Sequence, residues 1–240
     1  MKARKEKFKE GKEKFKTMYG VFDEFTNRTI FKLITEGHFR GLESPINIGK
    51  ESNVFSALTE HGRVIVKIYR LETCDFNAMY NYIKDDPRYS GLKDKKRKVI
   101  FAWVQREFRN LMKAREAQVS VPIPITFANN VLVLEFIGKN SEIAPKLKDK
   151  IPKNKKQFLN KLIDNIRKLY KKSIVHADLS AFNILNFNET PVFIDMSQAT
   201  TLRHPRAEEF LQRDVKNICS FFNKIGLKVD EKSTMRKIKK

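Results

Sequence analysis

Three polar residues in the second half of the chain have the types and spacing that phosphoryl transfer requires. His176-Ala177-Asp178 is followed by Asn183, and Asp195 comes twelve residues later, at the end of an apolar segment. A loop Asp can accept the proton of a hydroxyl, whereas Asn and a second Asp supply the oxygen ligands that Mg²⁺ prefers. We therefore predict that Asp178 and Asp195 are catalytic and that Asn183 and Asp195 bind metal. His176 is predicted to have a structural role.

The first half of the chain contains residues that could bind the phosphates of a nucleotide. Lys67 lies inside the apolar segment Val64–Tyr69, and Glu107 follows 40 residues later in a helical pattern. A Lys–Glu pair could orient Lys67 toward the α- and β-phosphates. The segment Gly49–Val54, with Lys50, Glu51 and Ser52, has too few glycines for a G-x-G-x-x-G loop and lacks the spacing of a Walker motif. It could still cover phosphates through its backbone N–H groups and the Ser52 hydroxyl.

The periodicity of apolar residues indicates the elements that would position these groups. Strand patterns cover 46–58, 64–69 and 131–137, and helix patterns cover 21–37, 101–117, 157–172 and 207–224. Strands therefore dominate the first half and helices the second, so we predict an α+β fold with two lobes and a hinge at Gly138. The predicted units are a basic arm (1–20), an N-terminal lobe (21–137), a C-terminal lobe (138–227) and a basic tail (228–240).

Composition constrains the partners and the compartment. The chain of 240 residues has 49 Lys and Arg against 28 Asp and Glu, a formal net charge of +21. Such an excess favours a polyanionic partner, and four separate basic clusters favour RNA. The two cysteines fit no metal spacing. We expect no membrane association, because no apolar stretch is long enough to span a bilayer, and we expect the protein to be cytoplasmic.

Taken together, these segments resemble the RIO family of atypical serine/threonine protein kinases, and most of all its Rio-one branch. The resemblance extends over about residues 20–225. The segments that carry it are Gly49–Val54, Val66-Lys67, Tyr82-Ile83 with Asp86–Tyr89, Trp103 with Glu107–Leu111, Leu134–Gly138, Val175–Ser180, Asn183, Ile194–Gln198, His204–Ala207, Phe210-Leu211 and Arg213-Asp214.

The resemblance implies a trimmed kinase fold with an extra N-terminal helix. It implies that the backbone of Glu135 and Ile137 binds adenine, that Lys67 and Ser52 contact phosphates, and that Mg²⁺ or Mn²⁺ accompanies ATP. It also implies that Asp195 can become phosphorylated, and that the chain acts in maturation of the small ribosomal subunit. The expected partners are ATP, a small-subunit precursor and its rRNA, and autophosphorylation is expected as well.

Three other functions are compatible with the same residues. Only about nine residues separate Asp195 from His204-Pro205, which excludes a long activation loop. This favours a switch-like ATPase as the main activity, but three alternatives stay open. A protein kinase that phosphorylates itself and other proteins remains open, as does an assembly factor that binds ATP with little catalysis. A small-molecule phosphotransferase also uses the H-x-D-x4-N pattern, but the short chain and its charge count against it.

Overall fold

The computed structural model of the chain describes residues 22–84, 91–92, 95–139 and 141–240. The predicted basic arm (1–20) and the segment 86–89 lie outside these residues. None of the helices in the described ranges is long and apolar enough to cross a membrane.

A five-stranded antiparallel sheet forms the N-terminal lobe, in the order β1-β2-β3-β5-β4. Its strands are β1 (Gly41–Ile48), β2 (Ser52–Thr59), β3 (Gly62–Tyr69), β4 (Pro124–Ala128) and β5 (Val131–Glu135). Side chains alternate between the faces of a strand, and in β3 both faces are buried. Val64, Val66 and Ile68 pack on one side with the helix that precedes the sheet. The other side, with Ile65 and Tyr69, belongs to the main core.

Helix α1 (Glu24–Thr35) covers the outer face of the sheet. It begins at Asp23, whose carboxylate accepts a hydrogen bond from the Thr26 amide at 2.9 Å, an N-cap of the expected kind. Ile30 and Leu33, three positions apart, are buried against the strands. The predicted additional N-terminal helix is therefore confirmed, with narrower bounds than the pattern over 21–37 indicated.

Two further helices lie between β3 and β4. They are α2 (Phe76–Ile83) and α3 (Lys96–Glu116). Helix α3 buries Trp103, Val104 and Leu111 in the main core. Its Glu107 is fully buried, although a charged residue is rarely placed there without a partner.

The connection between the lobes contains the short strands β6 (Gly138–Lys139) and β7 (Glu142–Ile143). A Cβ atom at Gly138 would lie 2.2 Å from the Glu142 carbonyl oxygen and 2.4 Å from a ring carbon of Phe136. The glycine is therefore required by close packing of the backbone. Its predicted role as a hinge remains a prediction.

The C-terminal lobe is built on helices α4 (Lys155–Lys171), α5 (Ala207–Lys224) and α6 (Glu231–Lys239). Between α4 and α5 lie β8 (Ile174–Val175), β9 (Ile184–Phe187), β10 (Thr190–Phe193) and β11 (Thr200–Thr201), paired β8 with β11 and β9 with β10. The predicted face of α4, formed by Phe158, Leu162, Ile166 and Leu169, is buried.

The segment predicted as a basic tail (228–240) contains a helix, α6. Helix α6 is capped by Asp230, whose side chain accepts a hydrogen bond from the Ser233 amide at 2.7 Å. Thr234 and Ile238, four residues apart, are buried, while the basic residues remain at the surface. The charge pattern of the segment concealed this narrow packing face, because only two of its positions need to be buried.

Candidate active site

A cleft of about 650 Å³ lies between the sheet and the segments that follow β8 and β10. Apolar side chains from both lobes form part of its walls, including Ile46, Val54, Ile65 and Leu185. The predicted site residues that line it are Ser52, Lys67, Glu107, Glu135, Ile137, Asn183 and Asp195. Residues far apart in the sequence therefore meet in one cavity with apolar walls, the usual form of a small-molecule site.

Lys67 is the centre of a buried group of charges. It lies on the inner face of β3, and its Nζ atom is 2.8 Å from Glu107 Oε1 and 3.1 Å from Asp195 Oδ1. The hydroxyl of Tyr69 donates a hydrogen bond to the other oxygen of Glu107. The predicted Lys67–Glu107 pair therefore forms, and Asp195 joins it.

The two carboxylates keep Lys67 charged. Burial alone would favour the neutral amine, but the charges of Asp195 and Glu107 outweigh it and raise the pKa of Lys67 well above its ordinary value. A permanently charged ammonium group inside the cleft is suited to bind phosphate oxygens.

Asp195 adopts a backbone conformation that is unusual for a residue with a side chain, with φ of +61°. Its Oδ1 atom accepts a hydrogen bond from the Ser197 hydroxyl at 2.6 Å. Burial opposes ionisation of Asp195, but Lys67 and Ser197 overcome it and lower its pKa to about 2. Asp195 is therefore an anion at neutral pH. Its left-handed backbone conformation costs free energy of order 1 kcal/mol or more, which the surrounding contacts must offset.

The buried His176 holds the strand that leads to Asp195. Its Nε2 atom lies 3.2 Å from the carbonyl oxygen of Ile194, so this nitrogen carries the proton and donates it. Burial lowers the pKa of His176 to about 4 and keeps the ring neutral. The structural role predicted for this residue agrees with these contacts.

Asp178 and Asn183 are hydrogen-bonded to each other. The Asn183 amide nitrogen donates to the carbonyl oxygen and to Oδ2 of Asp178, at 2.9 and 3.0 Å. Because the nitrogen is used in this way, the amide oxygen of Asn183 is the atom left for a cation. Burial and the nearby charge of Asp195 raise the pKa of Asp178, which strengthens it as a proton acceptor.

Asp214 on α5 holds the loop that carries Asp178, although its position in the sequence predicted no such role. Its two carboxylate oxygens accept hydrogen bonds from the amides of Ala177 and Leu179, both at 2.8 Å. Arg213 donates to the Ala177 carbonyl, and Asn217 donates to the Leu179 carbonyl at 3.2 Å. Burial raises the pKa of Asp214 to about 7, against the opposing effect of the two amides. An acidic residue on the apolar face of a predicted helix was the available signal.

Two residues of α3, also not predicted, hold the segment after Asp195. The Arg106 guanidinium donates to the carbonyls of Tyr82 and Ala199 at 2.8 and 3.0 Å. The Asn110 amide donates to the carbonyls of Met196 and Ala199 at 2.9 and 3.0 Å. The helix that carries Glu107 therefore also fixes the chain beyond Asp195.

The loop between β1 and β2 is a tight turn beside the cleft. The Gly49 amide donates to the Ser52 carbonyl at 3.0 Å, and the Thr73 hydroxyl donates to the Lys50 carbonyl at 2.8 Å. Burial and the charge of Asp195 raise the pKa of Glu51. Ser52 lines the cleft, whereas Lys50 and Glu51 are not among the described residues that line it.

Glu135 and Ile137 line the cleft. The Glu135 amide donates to the Ile123 carbonyl at 2.8 Å, and the Glu135 carboxylate accepts from the Ile123 amide at 2.9 Å. The Ile137 carbonyl accepts from the Ala144 amide at 2.8 Å. The position of this segment is thus fixed within the chain, and its predicted contact with adenine remains a prediction.

The oxygens around Asp195 are suited to Mg²⁺. Lys67 and Ser197 both contact Oδ1 of Asp195, which leaves Oδ2 for a cation, and the amide oxygen of Asn183 is the second candidate ligand. Within the described ranges, three or more His, Cys, Asp or Glu residues nowhere form a metal-binding group. Two protein oxygens suit Mg²⁺, because this ion usually keeps water and substrate phosphates as its other ligands.

Comparison with known proteins agrees with this geometry. The sequence profile of the RIO domain family matches residues 53–236. The RIO-type serine/threonine-protein kinase Rio1 of Haloferax volcanii is 40% identical over 219 residues, which cover 91% of this chain and 76% of that protein. The Rio1 kinase of Methanocaldococcus jannaschii is 41% identical over 213 residues, 88% of this chain and 73% of its own length.

A solved structure shows the same fold. The Rio2 kinase of Chaetomium thermophilum, crystallised as an ADP/Mg²⁺-phosphoaspartate complex, superposes with a TM-score of 0.67 at 22% identity. The match covers 87% of this chain, and the chain spans 65% of the length of that structure. The predicted kinase-like α+β fold is therefore confirmed. With the profile match and the identity to Rio1 proteins, the chain belongs to the RIO family of atypical serine/threonine protein kinases and is of the Rio1 type.

Proposed function

We propose that the chain binds Mg²⁺-ATP in the 650 Å³ cleft and transfers the γ-phosphate to a serine or threonine hydroxyl or to water. One observation carries this proposal above all. Lys67, Asn183 and Asp195 line one cavity, and Asn183 is hydrogen-bonded to Asp178, a carboxylate with a raised pKa. Phosphoryl transfer needs positioning, charge stabilisation and a proton acceptor, and these residues supply all three.

The residues of the N-terminal lobe would hold the nucleotide. Lys67 would bind the α- and β-phosphates, and the loop with Lys50, Glu51 and Ser52 would cover them. Glu135 and Ile137 would recognise adenine through their backbone, between the apolar walls of the cleft. Mg²⁺, when bound by Asn183 and Asp195, would neutralise part of the phosphate charge.

Asp178 would act as the base. The acceptor oxygen forms a bond to the γ-phosphorus, the bond from that phosphorus to the β–γ bridging oxygen breaks, and ADP leaves. The proton of the acceptor hydroxyl moves to the Asp178 carboxylate. A raised pKa helps this step, because a more basic carboxylate accepts the proton more readily.

Asp195 is the proposed site of an aspartyl-phosphate. Its carboxylate is ionised at neutral pH and lies in the cleft. The Rio2 kinase of Chaetomium thermophilum was crystallised as a phosphoaspartate complex, which supports the same chemistry here. In this chain, attack by Asp195 on the γ-phosphorus would release ADP and leave an acyl phosphate, which water would hydrolyse. The test is incubation with γ-labelled ATP. This route predicts a phosphate label on the wild-type protein that survives acid and is removed by hydroxylamine, and no such label on Asp195→Asn.

The proposed cellular role is maturation of the small ribosomal subunit in the cytoplasm. The formal net charge of +21 supports a partner that contains RNA. A second function, an ATP-gated assembly factor with little catalysis, is favoured by the short path between Asp195 and α5. Only residues 196–206 lie between them, and two of these form β11. This path leaves no room for a long substrate-binding segment.

The test is turnover of γ-labelled ATP with and without Mg²⁺ and small ribosomal subunits. Phosphate on protein and free phosphate are counted separately for wild type and Asp178→Asn. Asp164→Asn is the matched control, because Asp164 is on the surface of α4, where it pairs with Arg167 and Lys168.

The proposal predicts turnover that needs Mg²⁺, rises with subunits and is lost only in Asp178→Asn. ATP binding without turnover in wild type would favour the ATP-gated factor. Equal turnover by Asp178→Asn and wild type would refute the assignment of the base.

A further inference from the structure

A second cavity, of about 860 Å³, opens between α3, the β8–β11 pair and the turn at 202–205. Among the described residues, it shares no lining residue with the cleft that contains Lys67. Four of its lining residues carry a positive charge at neutral pH, and one carries a carboxylate. The cations are Arg106, Lys113, Lys172 and Arg203, and the carboxylate is that of Glu116.

Three of these cations are at the surface and have no acidic partner among the described residues. Lys113, Lys172 and Arg203 are exposed, and none of them forms an ion pair within the part of the chain that the structure describes. Other surface lysines do so, since Lys168 pairs with Asp164 and Lys239 with Glu208. The charges around the cavity are therefore available to an anion from solution.

The fourth cation forms a fixed part of the wall. Arg106 is only 8% exposed, and its guanidinium is held by the carbonyls of Tyr82 and Ala199. A buried guanidinium cannot lose its charge, so it contributes a constant positive field to the cavity. The hydroxyl-bearing residues Ser173, Thr200 and Thr201 also line it and supply neutral donors.

We propose that this cavity binds a phosphate group, carried either by a small anion or by a phosphorylated side chain. Cations from three separate elements converge on it, from α3, from the end of α4 and from the turn after β11. A compact dianion with several acceptor oxygens satisfies such a set of donors better than a single carboxylate does. The cavity is separate from the proposed nucleotide site, so phosphate binding here does not depend on the proposed function.

The occupant would contact the elements that hold the catalytic residues. Arg106 precedes Glu107 in α3, and Asn110 on the same helix holds the carbonyls of Met196 and Ala199. A phosphate group bridging α3 and the turn at 202–205 would tie together the helix that positions Lys67 and the segment that follows Asp195.

The test is calorimetric titration of the full chain with inorganic phosphate and with O-phosphoserine. The first variant removes the exposed cations of the cavity (Lys113→Ser, Lys172→Ser and Arg203→Ser). A matched variant removes three exposed charges elsewhere on α4 and α6 (Lys156→Ser, Lys232→Ser and Lys237→Ser). Neither set of substitutions includes a residue that lines the nucleotide cleft, so ATP binding should be unchanged in both variants. Thermal melting of each variant confirms that it is folded.

The proposal predicts that the cavity variant binds the better of the two probes about tenfold or more weakly, because several charge-assisted contacts are lost together. The matched variant should stay within about twofold of wild type, since it keeps those contacts. The probe with the higher affinity identifies the source of the phosphate group. Equal affinity in all three proteins, an equal loss in both variants, or no binding at millimolar concentration would overturn the proposal.

Discussion

The two halves of the candidate site are held together by different kinds of contact. Around Lys67, charged side chains contact one another, since the carboxylates of Glu107 and Asp195 both form ion pairs with the ammonium group. Around Asp178, side chains of α5 hold the backbone, since Asp214 accepts hydrogen bonds from the amides of Ala177 and Leu179. The first half depends on the position of α3, whereas the second is organised by a helix of its own lobe. We therefore expect Asp178 to be in position before ATP binds, whereas the phosphate-binding residues around Lys67 can still shift.

The largest effect is expected from Asp178→Asn. Asn keeps the size of the side chain but cannot accept the proton of the acceptor, so turnover should fall by about three orders of magnitude. ATP affinity should stay within about twofold, because the Lys67 group is untouched. Single-turnover rates and nucleotide titration measure the two quantities. A large loss of affinity would show that the two halves of the site are coupled more strongly than the contacts suggest.

The buried His176 should make the protein acid-sensitive. In the unfolded chain it takes up a proton near pH 6.5, whereas in the folded chain it does so only near pH 4. The unfolded state therefore binds more protons between these values. The free energy of unfolding should fall as pH drops from 6.5 to 4, by up to about 3 kcal/mol.

Urea unfolding at several pH values measures this dependence. His176→Gln is the control, because its amide can donate to the Ile194 carbonyl without titrating. Its unfolding free energy should lack this component of the slope, and the same slope in both proteins would contradict the assignment to His176.

Asp214→Asn tests whether the catalytic loop is held from α5. The amide of Asn can accept only one of the two backbone hydrogen bonds and turns a donor toward the other, so unfolding should become easier by about 1–3 kcal/mol. Turnover should also fall, while nucleotide affinity stays near that of wild type. Urea unfolding and turnover are the measurements, with Asp230→Asn as the control because Asn also caps helices well. A loss of affinity without a loss of turnover would reverse the comparison.

The smallest effect is expected from Glu107→Gln. The substitution keeps the shape and a hydrogen bond to Lys67 but removes a charge, so Lys67 remains paired with Asp195 alone. We expect kcat/KM for ATP to fall about tenfold, which corresponds to about 1.4 kcal/mol. Glu116→Gln, at the exposed end of the same helix, is the control. A loss as large as that of Asp178→Asn would show that the phosphate-binding half is as rigidly required as the base.

The sequence predicted the residues of the site better than the contacts that hold them. Lys67, Glu107, Asn183 and Asp195 were predicted from their types and spacing, and they line one cleft, with Asp178 hydrogen-bonded to Asn183. Their catalytic and binding roles stay predictions. The resemblance to RIO kinases then supplied the fold, including the helix in front of the sheet, and the solved Rio2 structure confirms that fold.

What could not be predicted depends on contacts between distant segments. Asp214 acts on amides 35 and 37 residues earlier in the chain, and no local pattern shows which amides lack a partner. Helix α6 was not predicted within the basic tail, because two buried positions among many lysines leave almost no periodic signal. The close packing that requires glycine at 138 could not be read from the sequence, because it depends on the Glu142 carbonyl and the Phe136 ring.

The placement of three neighbouring residues on α3 has a consequence for how activity would be switched. Glu107 holds Lys67, and Arg106 and Asn110 hold the chain after Asp195, all within about one helical turn. A rigid shift of this helix cannot release one contact and keep the others. Intermediate positions of the helix would therefore be scarcely populated. A graded signal would change the fraction of molecules that are catalytically competent, while each competent molecule works at the same rate.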